Sequence, residues 1–252
     1  MQFGLIGRKL GHSFSKSYFS EKFDRLGLPH RYDLYELADV AELPTLLAQQ
    51  PDLLGLNVTI PYKTAVRAYC TALDPLAAEA GAVNTVVRMP GGRLRGYNTD
   101  VLGFGQTLDT WLVELGRSMP RKALIVGAGG ASQAVQVALR LRGVAFRVAA
   151  RRAGTDITGQ RWLPYDALPG TLGIYDLVVQ TTPLGMHPDV ETALPLPYTE
   201  LTPDTLCYDL VYNPAQTRFM TLCAAQGCPV QNGLPMLHAQ AEAAWEIWQQ
   251  SL

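Results

Sequence analysis

Two short polar blocks, residues 55–63 (GLNVTIPYK) and 96–100 (GYNTD), hold one lysine and one aspartate among amide and hydroxyl side chains. Lys63 brings an ammonium, Asp100 a carboxylate, and Asn57 and Thr59 both donate and accept hydrogen bonds. Such a set suits a small, neutral, many-hydroxyl ligand that undergoes one ionisable step. Leu54, Leu56, Val58 and Ile60 alternate through the first block, which predicts a strand with those four side chains buried. Asn57, Thr59 and Lys63 then project from the strand and its end, where a rigid scaffold aims them.

A second chemical signal lies downstream. Residues 127–132 read GAGGAS between an apolar strand, ALIV, and a helical run ending near Leu141. That is the setting a dinucleotide fingerprint requires. Gly127 permits the tight turn, Gly129 lets a pyrophosphate approach the backbone, and Ala128 and Gly130 complete the loop. The N–H groups and dipole of the helix starting near Ala131 then stabilise the phosphate charge. Ser132 stands where a strict G-x-G-x-x-G has its third glycine, so the helix–strand contact there must accept a small side chain.

The next strand, residues 146–150, ends in Ala149-Ala150-Arg151-Arg152. An acid at this place would accept the ribose 2′-hydroxyl of NAD, and none occurs before Asp156. Arginine instead pairs with a 2′-phosphate and stacks on adenine. Arg151 and Arg152 therefore favour NADP over NAD.

The elements that must carry these residues alternate along the chain. Strands are expected at 3–6, 30–36, 53–60, 82–88 and 93–97, with helices at 17–26, 40–49 and from 63 to about 72. A long helix at 99–115 connects to a second unit with strands at 122–126, 146–150, 176–181 and 206–210 and helices through 141, over 218–226 and over 234–249. Strands interleaved with helices argue for an α/β fold with mostly parallel sheets, the second unit being doubly wound. The expected domains are 1–100 for the ligand and 101–233 for the dinucleotide, with helix 234–252 packing back on the first.

Composition narrows the function. The 252 residues are 48% hydrophobic and 17% charged with net charge −1, globular values that draw the surface to neither nucleic acid nor an acidic membrane. The cysteines at 70, 207, 223 and 228 show no C-x-x-C and read as reduced, mostly buried thiols. The histidines at 12, 30, 187 and 238 show no ligand spacing, so no metal is expected; His12, beside a serine block, reads as structural. No export signal and no membrane span are evident, and the expected location is cytoplasmic.

Six blocks in order resemble the shikimate dehydrogenase family across nearly the whole chain: GHSFSKS at 11–17, NVTIPYK at 57–63, GAVNTV at 81–86, NTDVLGF at 98–104, GAGGAS at 127–132 and NGLPMLHAQA at 232–241. The resemblance implies that Ser13 and Ser15 hold a substrate carboxylate, although serines before a helix also cap it. It implies that Asn57, Thr59, Asn84 and Gln240 surround the ring hydroxyls, and that Tyr212 lines the mouth between the domains. Lys63 and Asp100 match the catalytic pair, and Gly233 and Met236 match positions that pack the nicotinamide. Lys16 replaces the family's usual proline, and Pro235 stands where some relatives have glycine.

The implied reaction is reversible hydride transfer between NADPH and 3-dehydroshikimate, on the route to chorismate and the aromatic amino acids. Lys63 would donate a proton to the new alkoxide and Asp100 would orient the lysine. Alternatives are a quinate/shikimate enzyme using NAD, or a non-catalytic binding protein of the same fold. A monomer or homodimer is expected, with domain closure hinged near Thr99 and Asn232.

Overall fold

Apolar alternation builds the first sheet. In the computed structural model, which describes residues 1–11 and 13–251, β1 (Gln2–Gly7) sends Phe3 and Leu5 to one face and Ile6 to the other. His12 lies outside the described residues. The chain divides into unit 1, Met1–Thr99 with Ala241–Leu252, and unit 2, Asp100–Gln240.

Unit 1 contains β1, α1 (Phe14–Arg25), β2 (Arg31–Glu36), α2 (Leu43–Gln49), β3 (Leu53–Val58), β4 (Ala72–Leu73), α3 (Pro75–Ala80), β5 (Thr85–Arg88) and β6 (Leu94–Tyr97). Its six-stranded sheet runs β2-β1-β3-β5-β6-β4, with β5 antiparallel to both its neighbours and the other pairs parallel. One face packs Phe3, Phe19, Phe23 and Tyr32 against Ala241, Ala244, Trp245 and Trp248. The other buries Ile6, Leu43, Leu53, Leu56, Val58 and Val86. Gly55 in the middle of β3 is what lets Trp248 lie on the sheet, since a methyl there would overlap the indole, whose Nε1 donates to Val86 O at 3.2 Å.

Two expectations are corrected in this unit. The alternation does not run unbroken from Leu54 to Ile60. The pairing with β1 shifts between Gln2↔Leu53 and Phe3↔Gly55, a bulge that turns half-buried Leu54 toward the Trp248 face while Leu56 and Val58 enter the opposite core. The strand then stops at Val58: Tyr62 N donates to Thr59 O at 2.9 Å, closing a turn that leaves Ile60 72% exposed. The helix expected from 63 to about 72 is only a 3-10 turn, Ala65–Tyr69. The sheet takes the chain back at Thr71, whose N–H and hydroxyl both bond Leu94 O, at 2.8 and 3.0 Å.

Unit 2 opens with most of α4 (Thr99–Glu114), then β7 (Lys122–Val126), α5 (Gly130–Leu141), β8 (Ala145–Ala149), β9 (Leu177–Gln180), β10 (Leu206–Asp209), α6 (Arg218–Ala224), β11 (Val230–Gln231) and the start of α7 (Leu234–Gln250). Its five strands are all parallel in the order β11-β10-β9-β7-β8. Phe104 and Trp111 of α4 pack on the Tyr208 ring of β10. Between β8 and β9 no α-helix forms; two 3-10 turns, Tyr165–Ala167 and Leu172–Ile174, fill the connection. All four cysteines are free. Among the described residues no helix is long and apolar enough to cross a membrane, and no group of three or more His, Cys, Asp or Glu side chains is set to hold a metal.

Candidate active site

Unit 1 gathers most of the polar block into one buried network. Asn57, on the β3 face that carries Gly55, accepts the Tyr32 hydroxyl at 2.7 Å on its Oδ1, and its Nδ2 reaches Asn84 O at 3.4 Å and Thr85 Oγ1 at 3.3 Å. Asn84 turns its Oδ1 to the Thr99 N–H at 2.7 Å and donates from Nδ2 to Thr99 Oγ1 at 2.9 Å. Both asparagines are buried. Interior amides are costly unless bonded, and here these partners fix which way each one points.

The serine block starts α1. Ser13 occupies the N-cap position with extended backbone but makes no side-chain capping bond, so capping does not account for it. Tyr32 of β2 is buried, and burial pushes its ionisation far above the usual phenol range. Lys16, in place of proline, reaches Asp33 of β2 at 3.4 Å, an exposed pair that contributes little. Thr59 is half-buried just past β3, anchored by its N–H to Ile6 O at 3.0 Å.

Lys63 follows the turn and is half-buried; its backbone O accepts the Val83 N–H at 2.7 Å. One residue earlier, Ala82 O accepts Asn98 Nδ2 at 2.9 Å. The segment 82–84 thus ties the chain at Lys63 to Asn98 and Thr99, the two residues that lead into Asp100. Asp100 itself is buried in the first turn of α4, where the helix dipole favours a negative charge.

In unit 2, the first turns of α4 and α7 meet closely. A methyl on Gly103 would stand 2.9 Å from Gln240 N and 3.0 Å from Met236 O, so only glycine permits this approach. Gln240 is half-buried and its Nε2 donates to Leu237 O at 2.9 Å, while Met236 is buried. Gly233 donates to Val211 O at 3.0 Å, joining the start of α7 to the segment that carries Tyr212. Tyr212 is 37% exposed, with its ionisation raised by burial.

The glycine loop runs from β7 to α5. Gly127 has φ 122°, a backbone region closed to L side chains, and its N–H donates to Ala149 O at 2.9 Å, placing the turn beside the end of β8. Gly129 is the N-cap of α5, is exposed, has nothing within 4 Å of a built methyl, and supplies no side-chain cap. The first N–H groups of α5, at Gly130 and Ala131, have no acceptor within the helix, the arrangement by which helix starts bind a pyrophosphate; Ala128 is half-buried beside them. Ser132 fits without glycine: it is fully buried and bonds Gln136 Nε2 at 3.1 Å.

Arg151 and Arg152 are exposed just after β8. Asp156, the first carboxylate beyond them, is buried and closes on its own turn, accepting Thr158 N, Thr158 Oγ1 and Gln160 N at 2.9, 2.7 and 2.9 Å. All three bonds fall on Oδ1 and fold the carboxylate onto its own turn, and no other acid lies between Ala149 and Asp156. The donor set fits NADP.

Sequence reasoning missed Tyr32, Thr85, Asn98 and Thr99. The last three carried a signal: Thr85 adjoins the named Asn84, Thr99 adjoins the named Asp100, and Asn98 precedes Thr99 in a second Asn-Thr pair; Tyr32 sits in an ordinary strand pattern and had none.

A parallel sheet with a glycine turn between its first strand and helix makes unit 2 a Rossmann-type nucleotide-binding unit. Alongside the amide and hydroxyl network of unit 1, it defines the class as a dinucleotide-dependent α/β oxidoreductase acting on alcohols. Within that class, the chain belongs to the shikimate dehydrogenase family. The family described as the shikimate dehydrogenase substrate binding domain matches residues 5–86. A shikimate dehydrogenase (NADP(+)) of Bacillus cereus is 34% identical over 98% of this chain and 91% of its own length. The crystal structure of Thermus thermophilus shikimate 5-dehydrogenase with NADP(H) and shikimate superposes with a TM-score of 0.85 at 34% identity, covering 100% of this chain and 94% of that one. A 5-ketofructose reductase of Gluconobacter shares the fold at 26% identity and TM-score 0.85, covering 99% of this chain and 93% of that one.

Proposed function

We propose that this protein is an NADP-dependent shikimate dehydrogenase that interconverts 3-dehydroshikimate and shikimate in aromatic amino-acid biosynthesis. The observation that carries the reading is the 34% identity over 98% of the chain to a relative named for that activity. The amide network and the uncapped glycine turn supply the matching chemistry.

When bound, the dinucleotide exchanges a hydride with the substrate carbon. The loop at Gly127, Ala128, Gly129, Gly130 and Ala131 holds its pyrophosphate, Arg151 and Arg152 its 2′-phosphate, and Gly233 and Met236 flank the nicotinamide. Ser13 and Ser15 hold the substrate carboxylate. Asn57, Thr59, Asn84 and Gln240 bond the ring hydroxyls, and Tyr212 borders the substrate. A ketone oxygen that becomes an alkoxide needs a positive donor, and Lys63 supplies both charge and proton to it. Asp100 orients that ammonium and binds a neighbouring hydroxyl. The link from Lys63 through segment 82–84 to Asn98 and Thr99 supports this pairing. The cytosol as location and a monomer or homodimer as assembly belong to the same reading.

Initial rates with NADP and NAD against shikimate and quinate test it, with 5-ketofructose reduction as a further arm. NADP with shikimate should give the highest kcat/KM. A preference for NAD, quinate or the ketose would replace the reading, and an unchanged nicotinamide absorbance across a range of pH would mark a non-catalytic protein.

A further inference from the structure

We infer that Gln136 is a positioning residue for cofactor choice: it holds the loop carrying Arg151 and Arg152 at a fixed offset from the glycine turn. The inference rests on the functional reading just given and deepens its NADP assignment. Gln136 lies on α5 one turn after Ser132, on the same helix face, and is 2% exposed. Leucine would fill such a place with no polar atom to satisfy. Both ends of the amide are instead used. Its Nε2 donates to Ser132 Oγ at 3.1 Å, and its Oε1 accepts the Ile157 N–H at 3.0 Å. A backbone N–H only donates, so Ile157 fixes which way the amide points.

Ile157 belongs to the loop 150–163 that follows β8. The ends of this loop are pinned together: Ala150 N donates to Leu163 O at 3.0 Å, and Leu163 N to Val148 O at 2.8 Å. Further in, Trp162 N donates to Gly154 O at 2.9 Å, and Thr155 pairs antiparallel with Arg161. Asp156 closes the tip through Thr158 and Gln160. A methyl on Gly154 would overlap the Trp162 ring, so the indole lies directly against the loop backbone. Residues 154–162 thus form one stiff hairpin, and Arg151 and Arg152 sit on the short link 151–153 between it and β8.

At the other end, Ser132 follows Gly130 and Ala131, the residues proposed to hold the pyrophosphate. Two hydrogen bonds, Gln136 to Ser132 and Ile157 to Gln136, therefore run from the pyrophosphate turn to the hairpin behind the arginines. NADP presents its pyrophosphate and its 2′-phosphate at a spacing set by one ribose. Arginines already held at that spacing lose less freedom when the ligand arrives. NAD has no 2′-phosphate and gains nothing from the arrangement. Ser132, in the place of the fingerprint's third glycine, supplies an anchor that glycine could not.

The test is calorimetric titration of the full chain with adenosine 2′,5′-bisphosphate and with adenosine 5′-monophosphate, which differ only in the 2′-phosphate. The wild type should bind the bisphosphate more tightly. Gln136→Leu should raise Kd for the bisphosphate about 5–10-fold, the worth of one or two hydrogen bonds, and shift Kd for the monophosphate by less than about twofold. KM for NADP should rise in parallel, while KM for NAD, KM for shikimate and kcat at saturating NADP stay within about twofold. Ser132→Ala removes the anchor and leaves the Ile157 bond in place. It should weaken the bisphosphate selectively, by about two- to threefold, and it decides the question if Gln136→Leu does not fold. Equal weakening of both adenosine phosphates would mark a purely structural role and overturn the inference. A wild type that prefers the bisphosphate, with variants that keep the full preference, overturns the inference alone. A wild type that binds the two equally overturns the NADP assignment and this inference with it.

Discussion

The Asn84 carboxamide oxygen accepts the Thr99 backbone N–H at 2.7 Å, so a proposed reader of substrate hydroxyls also fixes the start of the helix carrying Asp100. Asn84→Ala would strip partners from the buried Thr85 and Thr99 hydroxyls as well. Losing such bonds costs about 1–3 kcal/mol, or a fall in Tm of roughly 2–4 °C for each kcal/mol in a chain of this size. Thermal unfolding checks this. A variant with unchanged Tm but lost activity would assign Asn84 to the ligand alone.

Lys63→Ala should lower turnover by roughly two or more orders of magnitude, the scale of general acid–base catalysis, while the melting temperature moves little because the side chain is half-buried. Steady-state rates in both directions measure it. Near-normal turnover would take Lys63 out of the proton-donor role.

Replacing Arg151 and Arg152 together by serine should raise KM for NADP roughly 10–100-fold, the worth of charge-assisted bonds to a phosphate, and leave KM for NAD nearly unchanged. Asp156 will not rescue NAD binding, because its carboxylate is engaged by Thr158 and Gln160. The ratio of kcat/KM values for the two cofactors reads this out, and an equal loss for both would place the arginines elsewhere.

Asp209 gives a pH prediction. It is fully buried at the end of β10, and burial pushes its carboxyl up to about 7 despite bonds from Thr217 Oγ1 at 2.5 Å and Val211 N at 2.9 Å. A folded value above the unfolded one means the native state holds the proton longer, so stability falls as pH rises from about 4 to 7 and then levels. The full effect is on the order of 4 kcal/mol. Urea midpoints between pH 4.5 and 8 should show this slope in the wild type and not in Asp209→Asn. An identical slope in both would assign it to other groups.

Gly103→Ala should destabilise by about 1–3 kcal/mol through overpacking, since the added methyl presses on the α7 backbone at Met236 and Gln240. Displacing those two residues should also weaken both cofactor and substrate binding. Denaturant unfolding and paired KM values measure it; wild-type stability would show that the helices relax freely.

Much of this was legible in the chain. Strand and helix periods gave the α/β class, and GAGGAS in its strand–helix context located the nucleotide turn. What escaped was set by tertiary partners. The bulge at Leu54 is imposed by pairing with β1, and the helix expected after Lys63 loses to the hydrogen bonds of Thr71 with Leu94. Helix α3 went unread although Asp74, Pro75 and Gly81 spell its cap, first turn and left-handed end. Tyr32 was invisible because a buried aromatic in a strand looks the same with or without a working hydroxyl.

Trp248 against Gly55 has a consequence for biosynthesis. The ribosome releases the nucleotide-binding unit as one continuous stretch, whereas Phe3 and Phe19 must wait for Ala241, Ala244, Trp245 and Trp248 to emerge. The core of unit 1 therefore closes only once residues 241–251 have been made, after the whole of unit 2.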